Sequence, residues 1–249
     1  MNDLMSGLQH HRWKRHFVST LGPTPSMRIL DVAGGTGDIT FEMLRFMRDE
    51  SGYGTTSDRA QGGGVVVCDL SSGMLDVGRR RSEKVDGASA VEWVEGNAEE
   101  LPFADASMDA YTISFGIRNC TNVDKVVREA HRVLKPGGRF MCLEFSEVVL
   151  PVLRELYEQY SFQLIPIIGQ VVANDRDSYQ YLVESIRRFP SQQKFKAIIE
   201  DAGFKAVEYE NLTGGIVAIH SGFKDPQVDL AGAPADEVDQ AAQQFAGSA

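Results

Sequence analysis

Five short runs along the chain are apolar with little alternation: MRILDVA (27–33), GGVVVCD (63–69), VEWVEG (91–96), DAYTISF (109–115) and GRFMCLEFS (138–146). Their β-branched and aromatic content predicts strands buried on both faces. Between them, ITFEMLRFMRDE (39–50), SGMLDVGRRRSEKV (72–85) and VDKVVREAHRVLK (123–135) carry apolar residues at helical spacing. In the last of these, Val126, Val127, Ala130, Val133 and Leu134 make the stripe, Thr121 or Asn122 is the N-cap candidate, and Pro136-Gly137-Gly138 is the stop. Such alternation predicts a parallel, doubly wound α/β sheet. A helical insert is expected over 147–190, followed by a capped helix ending at Gly203. Two strands joined at Thr213-Gly214-Gly215 then read as an antiparallel hairpin at the sheet edge. The expected sheet therefore has seven strands, mostly parallel, with the last one antiparallel.

The polar stretches mark boundaries. Residues 48–64, poor in apolar side chains, read as a solvent loop, and 225–249 read as a flexible acidic tail. That leaves one folded domain over 1–224. The net charge is −10, and five of the excess acids (Asp225, Asp229, Asp236, Glu237, Asp239) sit in the tail, so the folded body is only mildly acidic. An acidic body argues against nucleic acid as partner, because a phosphate backbone rewards basic surfaces. The stretch SFQLIPIIGQVVAN is too short to span a bilayer. Cys68, Cys120 and Cys142 lack metal or disulfide spacing, and no His, Asp and Glu group has ligand spacing, so no metal is expected.

Chemistry is concentrated after the first strand. In ILDVAGGTGD, Gly34, Gly35 and Gly37 occupy the turn where ligands of open parallel sheets sit, beyond the carboxyl ends of the strands. A dinucleotide fingerprint would need a third glycine where Thr40 stands. Asp69 closes the second strand, where a carboxylate can accept both hydroxyls of a ribose or, more blandly, cap the next helix. Asp31 can accept a bond from an α-ammonium or order the glycine loop. Asn97 and Ala98, just after the third strand, are placed to read an adenine edge. A ligand with ribose, adenine and a charged amino-acid end would use all of them, which favours S-adenosylmethionine over a nicotinamide dinucleotide. A nicotinamide oxidoreductase is the rival enzyme class, and it lacks both the third glycine and a Tyr-x-x-x-Lys pair here.

The stretches MNDLMSGLQHHRWK, LDVAGGTGDIT, CDLSSGMLDVGRRR, GNAEELPFADASMDAYTISFGIRNCTN, EAHRVLKPGGRFMCLEFS, DSYQYLVESIRRFP and AGFKAVEYENLTGGIVAIHSGFK resemble the ubiquinone and menaquinone biosynthesis C-methyltransferase family of class I methyltransferases. They span residue 1 to about 224, and SFGIRN with YLVESIRRFP is the most specific part. The resemblance implies a Rossmann-like fold with a helical lid at 147–190 and an N-terminal cap at 1–26. It implies methyl transfer from S-adenosylmethionine to a ring carbon of a polyprenylated benzoquinol. Cofactor contacts carry over to Thr36, Asp69, Asn97, Ala98 and Ser114. Two positions depart from the broader methyltransferase pattern: Ala33 stands where a first glycine is common, and Asn97 where Asp is common. Family members usually carry a further stretch before MND, with an aromatic-Asp pair that helps cover the active site, so a shortened chain is expected.

The resemblance also implies other ubiquinone-biosynthesis enzymes as partners in a complex, compatibility with a homodimer, and peripheral contact with the matrix face of the mitochondrial inner membrane, with no transit peptide evident. The apolar LYEQYSFQLIPIIGQVVA can accept an isoprenoid tail, lie at a membrane surface, or simply pack a lid. A non-catalytic scaffold of the same assembly, or a demethylmenaquinol methyltransferase of bacterial type, remain the competing functions.

At the acceptor, an electron-rich quinol attacks best as its phenolate. Arg118, after the fourth strand, is the candidate phenolate stabiliser, against the blander reading of an ion pair with Glu144 or Asp124. Asn119 is its neighbour, and Tyr181, with Tyr179, on the insert, reads equally as facing the quinol or as a packing aromatic. His131 and His220 read as packed or solvated rather than catalytic, and His11 as lining the pocket mouth.

Overall fold

The computed structural model describes residues 9–51, 63–85, 87–88, 91–149 and 176–226. Most of the loop at 48–64, the apolar run that ends at 173 and the tail from 227 lie outside the described residues.

The chain runs α1 (His10–Leu21), β1 (Arg28–Val32), α2 (Asp38–Ser51), β2 (Gly64–Asp69), α3 (Ser72–Ser82), β3 (Glu92–Glu95), β4 (Met108–Ser114), a 3₁₀ turn (Ile117–Asn119), α4 (Val123–Val133), β5 (Leu134–Phe145), α5 (Arg176–Arg188), α6 (Gln192–Asp201), β6 (Phe204–Leu212) and β7 (Val217–Lys224). The seven strands form one sheet in the order β3-β2-β1-β4-β5-β7-β6. Strands β1 to β5 pair in parallel, and β7 runs antiparallel between β5 and β6. The hairpin is therefore at the edge as expected, but its second strand lies inside and its first outside. β7 carries the burial pattern of an interior strand and β6 is mostly exposed, so burial decides which strand takes the inner place.

Strand alternation divides the core between the two faces. Leu30, Val32, Val66, Tyr111, Ile113, Phe140 and Cys142 face α4 and α6, meeting Val126, Val127, Ala130, Val133, Phe195 and Ile199. Ile29, Val65, Ala110, Met141, Leu143 and Phe145 face α1 and α2, meeting Trp13, Phe17, Val18, Leu21, Met43 and Leu44. Each large side chain so buried contributes about 1.5–3 kcal/mol relative to exposure. This symmetrical burial is why the strands read as continuous apolar runs.

Helix ends follow the caps. Asn122, rather than Thr121, caps α4 by accepting from the Lys125 N–H, and Ser71 caps α3 by accepting from the Met74 N–H. One boundary corrects the sequence reading. The helix expected to run through Leu134 to a stop at Pro136 ends at Val133, and β5 begins at Leu134, which pairs with Met108 before the register shifts and resumes at Ala110 with Arg139. Leu134 is fully buried and apolar, so it satisfies helical and strand spacing alike, and only strand pairing settles which it joins.

Candidate active site

The carboxyl ends of β1, β2 and β4 converge on the glycine loop. Ala33 stands in the left-handed region (φ 51°), the conformation for which a glycine is usual at that place. Gly35 also has positive φ (54°), and a Cβ there would lie 2.7 Å from Met74 Cε. The bare backbone thus lets the loop pass beneath the start of α3.

Asp69 holds this passage together. Its Oδ2 accepts from the Gly35 N–H (2.9 Å) and its Oδ1 from the Ser71 N–H (2.9 Å), so each oxygen keeps one free lone pair directed away from the backbone it binds. Leu70 beside it is 72 % exposed, an apolar surface next to the Asp69 carboxylate. The sequence reading did not single out Leu70, an apolar residue between a strand-ending acid and a capping serine. Asn97 is exposed after β3, its Oδ1 accepting from the Glu99 N–H, while Ala98 packs partly against the core.

Asp31 is fully buried and ties the end of β1 to α2 and β4. Its Oδ2 accepts from Thr40 Oγ1 (2.8 Å) on α2 and its Oδ1 from Thr112 Oγ1 (3.0 Å) on β4. Burial pushes its carboxyl up to about 6, with the Asp69 charge adding to the rise and the two threonine bonds opposing it.

Thr36 is engaged in an arrangement that sequence reading did not foresee. Arg81 Nη1, from α3, donates to Thr36 Oγ1 (2.6 Å), to the Thr36 carbonyl (3.0 Å) and to Asp38 Oδ1 (2.7 Å), with its guanidinium over the Phe41 ring. Lys14, from α1, donates to Asp38 Oδ2 (2.8 Å). Burial pushes the Asp38 carboxyl up, but the bonds from Lys14 and Arg81 outweigh it and hold the group below its ordinary range. Thr36 and Arg81 are 45 residues apart, and no local pattern joins them.

The acceptor side begins where β4 ends at Ser114. Gly116 touches β1's continuation: a Cβ there would meet the Ala33 Cβ at 2.5 Å, so the two strand ends abut. Arg118 lies in the 3₁₀ turn that follows. Its Nη1 donates to Glu144 Oε1 (2.7 Å) and to the Phe115 carbonyl (2.6 Å), and its guanidinium lies over the Phe145 ring (5.4 Å). The side chains of Arg118 and Glu144 are 7 % and 1 % exposed. Of the two partners weighed for Arg118, the structure selects Glu144. Burial raises the Glu144 carboxyl above its ordinary value, and the facing Arg118 lowers it only in part.

Three polar atoms on these strand ends are buried without a hydrogen-bond partner among the described residues: Ser114 Oγ, Arg118 Nε and Ser146 Oγ. Buried polar groups are nearly always bonded, so a concentration of exceptions at one edge points to a ligand. A fourth, Tyr111 Oη, lies within the core. Trp13 of α1 joins Phe115 and Phe145 in an aromatic cluster, its Nε1 donating to Thr213 Oγ1 (2.9 Å).

The remaining candidates are less engaged. Asn119 is exposed, and its N–H donates to the Gly116 carbonyl. Tyr181 on α5 is 50 % exposed and has no hydrogen-bond partner among the described residues; the side chain of Tyr179 lies outside them. His11 is exposed and stacks with His10. His131 packs edge-on against Phe204, and burial lowers its pKa. His220 is buried on β7 between Phe195 and Tyr209 with Nε2 against the Gln192 carbonyl, and burial lowers it to about 4. The packed reading of His131 and His220 thus holds. Burial raises the thiols of Cys68 and Cys120 to about 12 and about 11, and leaves them protonated near neutral pH. No cluster of metal-ligating side chains occurs among the described residues.

Residues 1–224 match the model of the ubiE/COQ5 methyltransferase family. The chain belongs to this family. It is 51 % identical over 242 residues to the mitochondrial 2-methoxy-6-polyprenyl-1,4-benzoquinol methylase of Dictyostelium discoideum, covering 90 % of this chain and 76 % of the relative. The human protein of the same name is 51 % identical over 245 residues, covering 90 % and 75 %. Among solved structures, a SAM-dependent methyltransferase from Aquifex aeolicus superposes with a TM-score of 0.58 at 16 % identity, over 84 % of this chain and 88 % of that one. One from Thermotoga maritima gives a TM-score of 0.60 at 17 % identity, over 90 % and 92 %. These two share the fold: the class I methyltransferase sheet with its antiparallel seventh strand.

Proposed function

We propose that this protein methylates a ring carbon of 2-methoxy-6-polyprenyl-1,4-benzoquinol in ubiquinone biosynthesis, using S-adenosylmethionine. The observation that carries this is half-identity to methylases of that name across nine-tenths of the chain. The family membership makes the protein an S-adenosylmethionine-dependent C-methyltransferase, and the site's chemistry agrees.

When bound, S-adenosylmethionine supplies a methyl group activated by a sulfonium. The protein's own residues position and protect. Asp69 offers free lone pairs to the ribose hydroxyls, Leu70 an apolar face to the adenine, and Asn97 with Ala98 the adenine edge. Asp31, Gly35, Thr36, Gly37 and Ser114 line the path toward the reacting centre. Arg118 acts as a fixed donor: Glu144 compensates most of its charge, so it stabilises a developing phenolate through a directed hydrogen bond more than through a free cation. Asn119 and Tyr181 are assigned to the acceptor side of this turn. The Trp13, Phe115 and Phe145 cluster keeps water from the reacting carbon.

The relatives are named as mitochondrial proteins, and we place this one at the matrix face of the inner membrane with other enzymes of its pathway. No helix among the described residues is long and apolar enough to cross a membrane. Incubation with methyl-labelled S-adenosylmethionine and a short-tailed quinol, with the product fragmented in a mass spectrometer, tests the function: the label is expected on a ring carbon. Label on oxygen, or none, would refute it.

A further inference from the structure

Of the unsatisfied polar atoms at the strand ends, Ser114 Oγ falls within the cofactor residues assigned above. The other two belong to neither the cofactor set nor any internal network. Arg118 Nε is held in place by bonds its Nη1 makes to Glu144 and Phe115, yet has no acceptor of its own among the described residues. Ser146 follows β5, and its N–H continues the ladder by donating to the Ile216 carbonyl (3.0 Å). The residue is 8 % exposed, and its hydroxyl has no partner among the described residues. In extended chain, side chains two residues apart share a face, so Ser146 lies on the face of Glu144, the residue that grips Arg118. Phe145, between them, turns to the opposite face and joins the Trp13 cluster.

Leaving a hydroxyl and a guanidinium N–H desolvated and unbonded is costly for each, so a site that tolerates both gains selectively from a ligand that meets both. Arg118 Nε can only donate, whereas the serine hydroxyl both donates and accepts. Together they suit an aromatic ring bearing oxygen substituents: one oxygen, hydroxyl or phenolate, accepting from Nε, and a second, hydroxyl or ether, at the serine.

We infer that Ser146 is a specificity-determining contact for a second ring oxygen of the acceptor, forming with Arg118 Nε a two-point oxygen subsite whose guanidinium Glu144 holds in register. This deepens the benzoquinol reading and rests on it. The assignment explains why the residue that follows β5 is a serine with its hydroxyl buried. It also predicts discrimination of a definite kind: a site built to bond an oxygen rejects the analogue that lacks it far more strongly than a merely apolar pocket would.

The test is a cycle of enzyme against substrate. Wild type and Ser146→Ala are assayed for kcat/KM on a short-tailed methoxybenzoquinol and on analogues each lacking one ring oxygen. S-adenosylhomocysteine binding and the thermal midpoint are recorded for both proteins. The expected result is a fall of about tenfold or more for Ser146→Ala on the full quinol and little change on one particular deoxy analogue, with S-adenosylhomocysteine affinity unchanged. An equal fall on every substrate, or no fall on any, overturns the subsite. Should Ser146→Ala fail to fold, Ser146→Cys replaces it, since the thiol keeps the volume but bonds weakly, and the same comparison decides. If wild type binds S-adenosylhomocysteine but methylates no quinol, the benzoquinol reading itself fails and the subsite falls with it.

Discussion

The two halves of the carboxyl edge differ in how their polar groups are treated. On the proposed donor half, at the ends of β1 and β2, the polar groups already have protein partners: Asp69 accepts from two backbone N–H groups, Asp31 from two threonines, and Thr36 from Arg81. On the acceptor half, built from β4 and β5, Arg118 and Ser146 each keep a buried atom without a partner among the described residues, as does Ser114, proposed for the cofactor, where the two halves meet. The first half is therefore organised before any ligand arrives, and its geometry is fixed by the backbone. The second keeps unpaired polar groups, and under the proposed reading these are where substrate choice is exercised.

This contrast can be broken at specific residues. The largest effect is expected for Arg118→Ala, with kcat lowered by about 10²–10³ because one preorganised donor to the developing oxyanion is lost. S-adenosylhomocysteine affinity, measured by calorimetry, should be unaffected, and a parallel loss of that affinity would place Arg118 on the donor side instead. Next comes Glu144→Gln. It leaves a buried guanidinium without its counter-charge, and urea unfolding is expected to show a loss of about 3 kcal/mol. An unchanged midpoint and slope would mean that Arg118 finds another partner. Asp69→Ala should weaken cofactor binding about 10- to 100-fold, because charge-assisted bonds to the ribose are lost together with the Gly35 anchor.

Asp31 gives a smaller, pH-dependent effect whose sign is fixed. Its carboxyl is raised to about 6, so below that pH it is neutral and offers no field to a cationic ligand. Affinity for S-adenosylmethionine is expected to fall by up to about tenfold for each pH unit below 6 and to level off above it. The Asp31→Asn protein should lack the dependence, and a sloping profile there would assign it to another group. The same shift means that ionising Asp31 costs folding free energy as pH rises from about 4 to about 6, so wild type should lose stability relative to Asp31→Asn across that window. The smallest change, a few-fold in cofactor affinity, is expected for Arg81→Ala, which frees the Thr36 hydroxyl but removes only a half-exposed bond.

Much of the donor half was legible in the sequence because its signals are local. A strand ends on Asp31, three glycines follow within four positions, and a second strand ends on Asp69, each within a few residues of what it serves. The acceptor half was less so. Arg118 and Glu144 are 26 residues apart, and they meet only because β4 and β5 pair in parallel with Ser114 opposite Leu143. The start of β5 escaped for a related reason: Leu134 fits either periodicity, and pairing with Met108 decides it. Ser146 carries no motif; its interest lies entirely in being buried and unbonded, a property visible only once its neighbours are in place.

Transfer of label from methyl-labelled S-adenosylmethionine to a short-tailed 2-methoxybenzoquinol, followed by fragmentation of the product, tests the central claim most directly. One labelled methyl on a ring carbon in wild type, with that yield collapsing in Arg118→Ala while S-adenosylhomocysteine still binds, is the predicted result. Methylation at oxygen, or a yield that Arg118→Ala leaves intact, would contradict it.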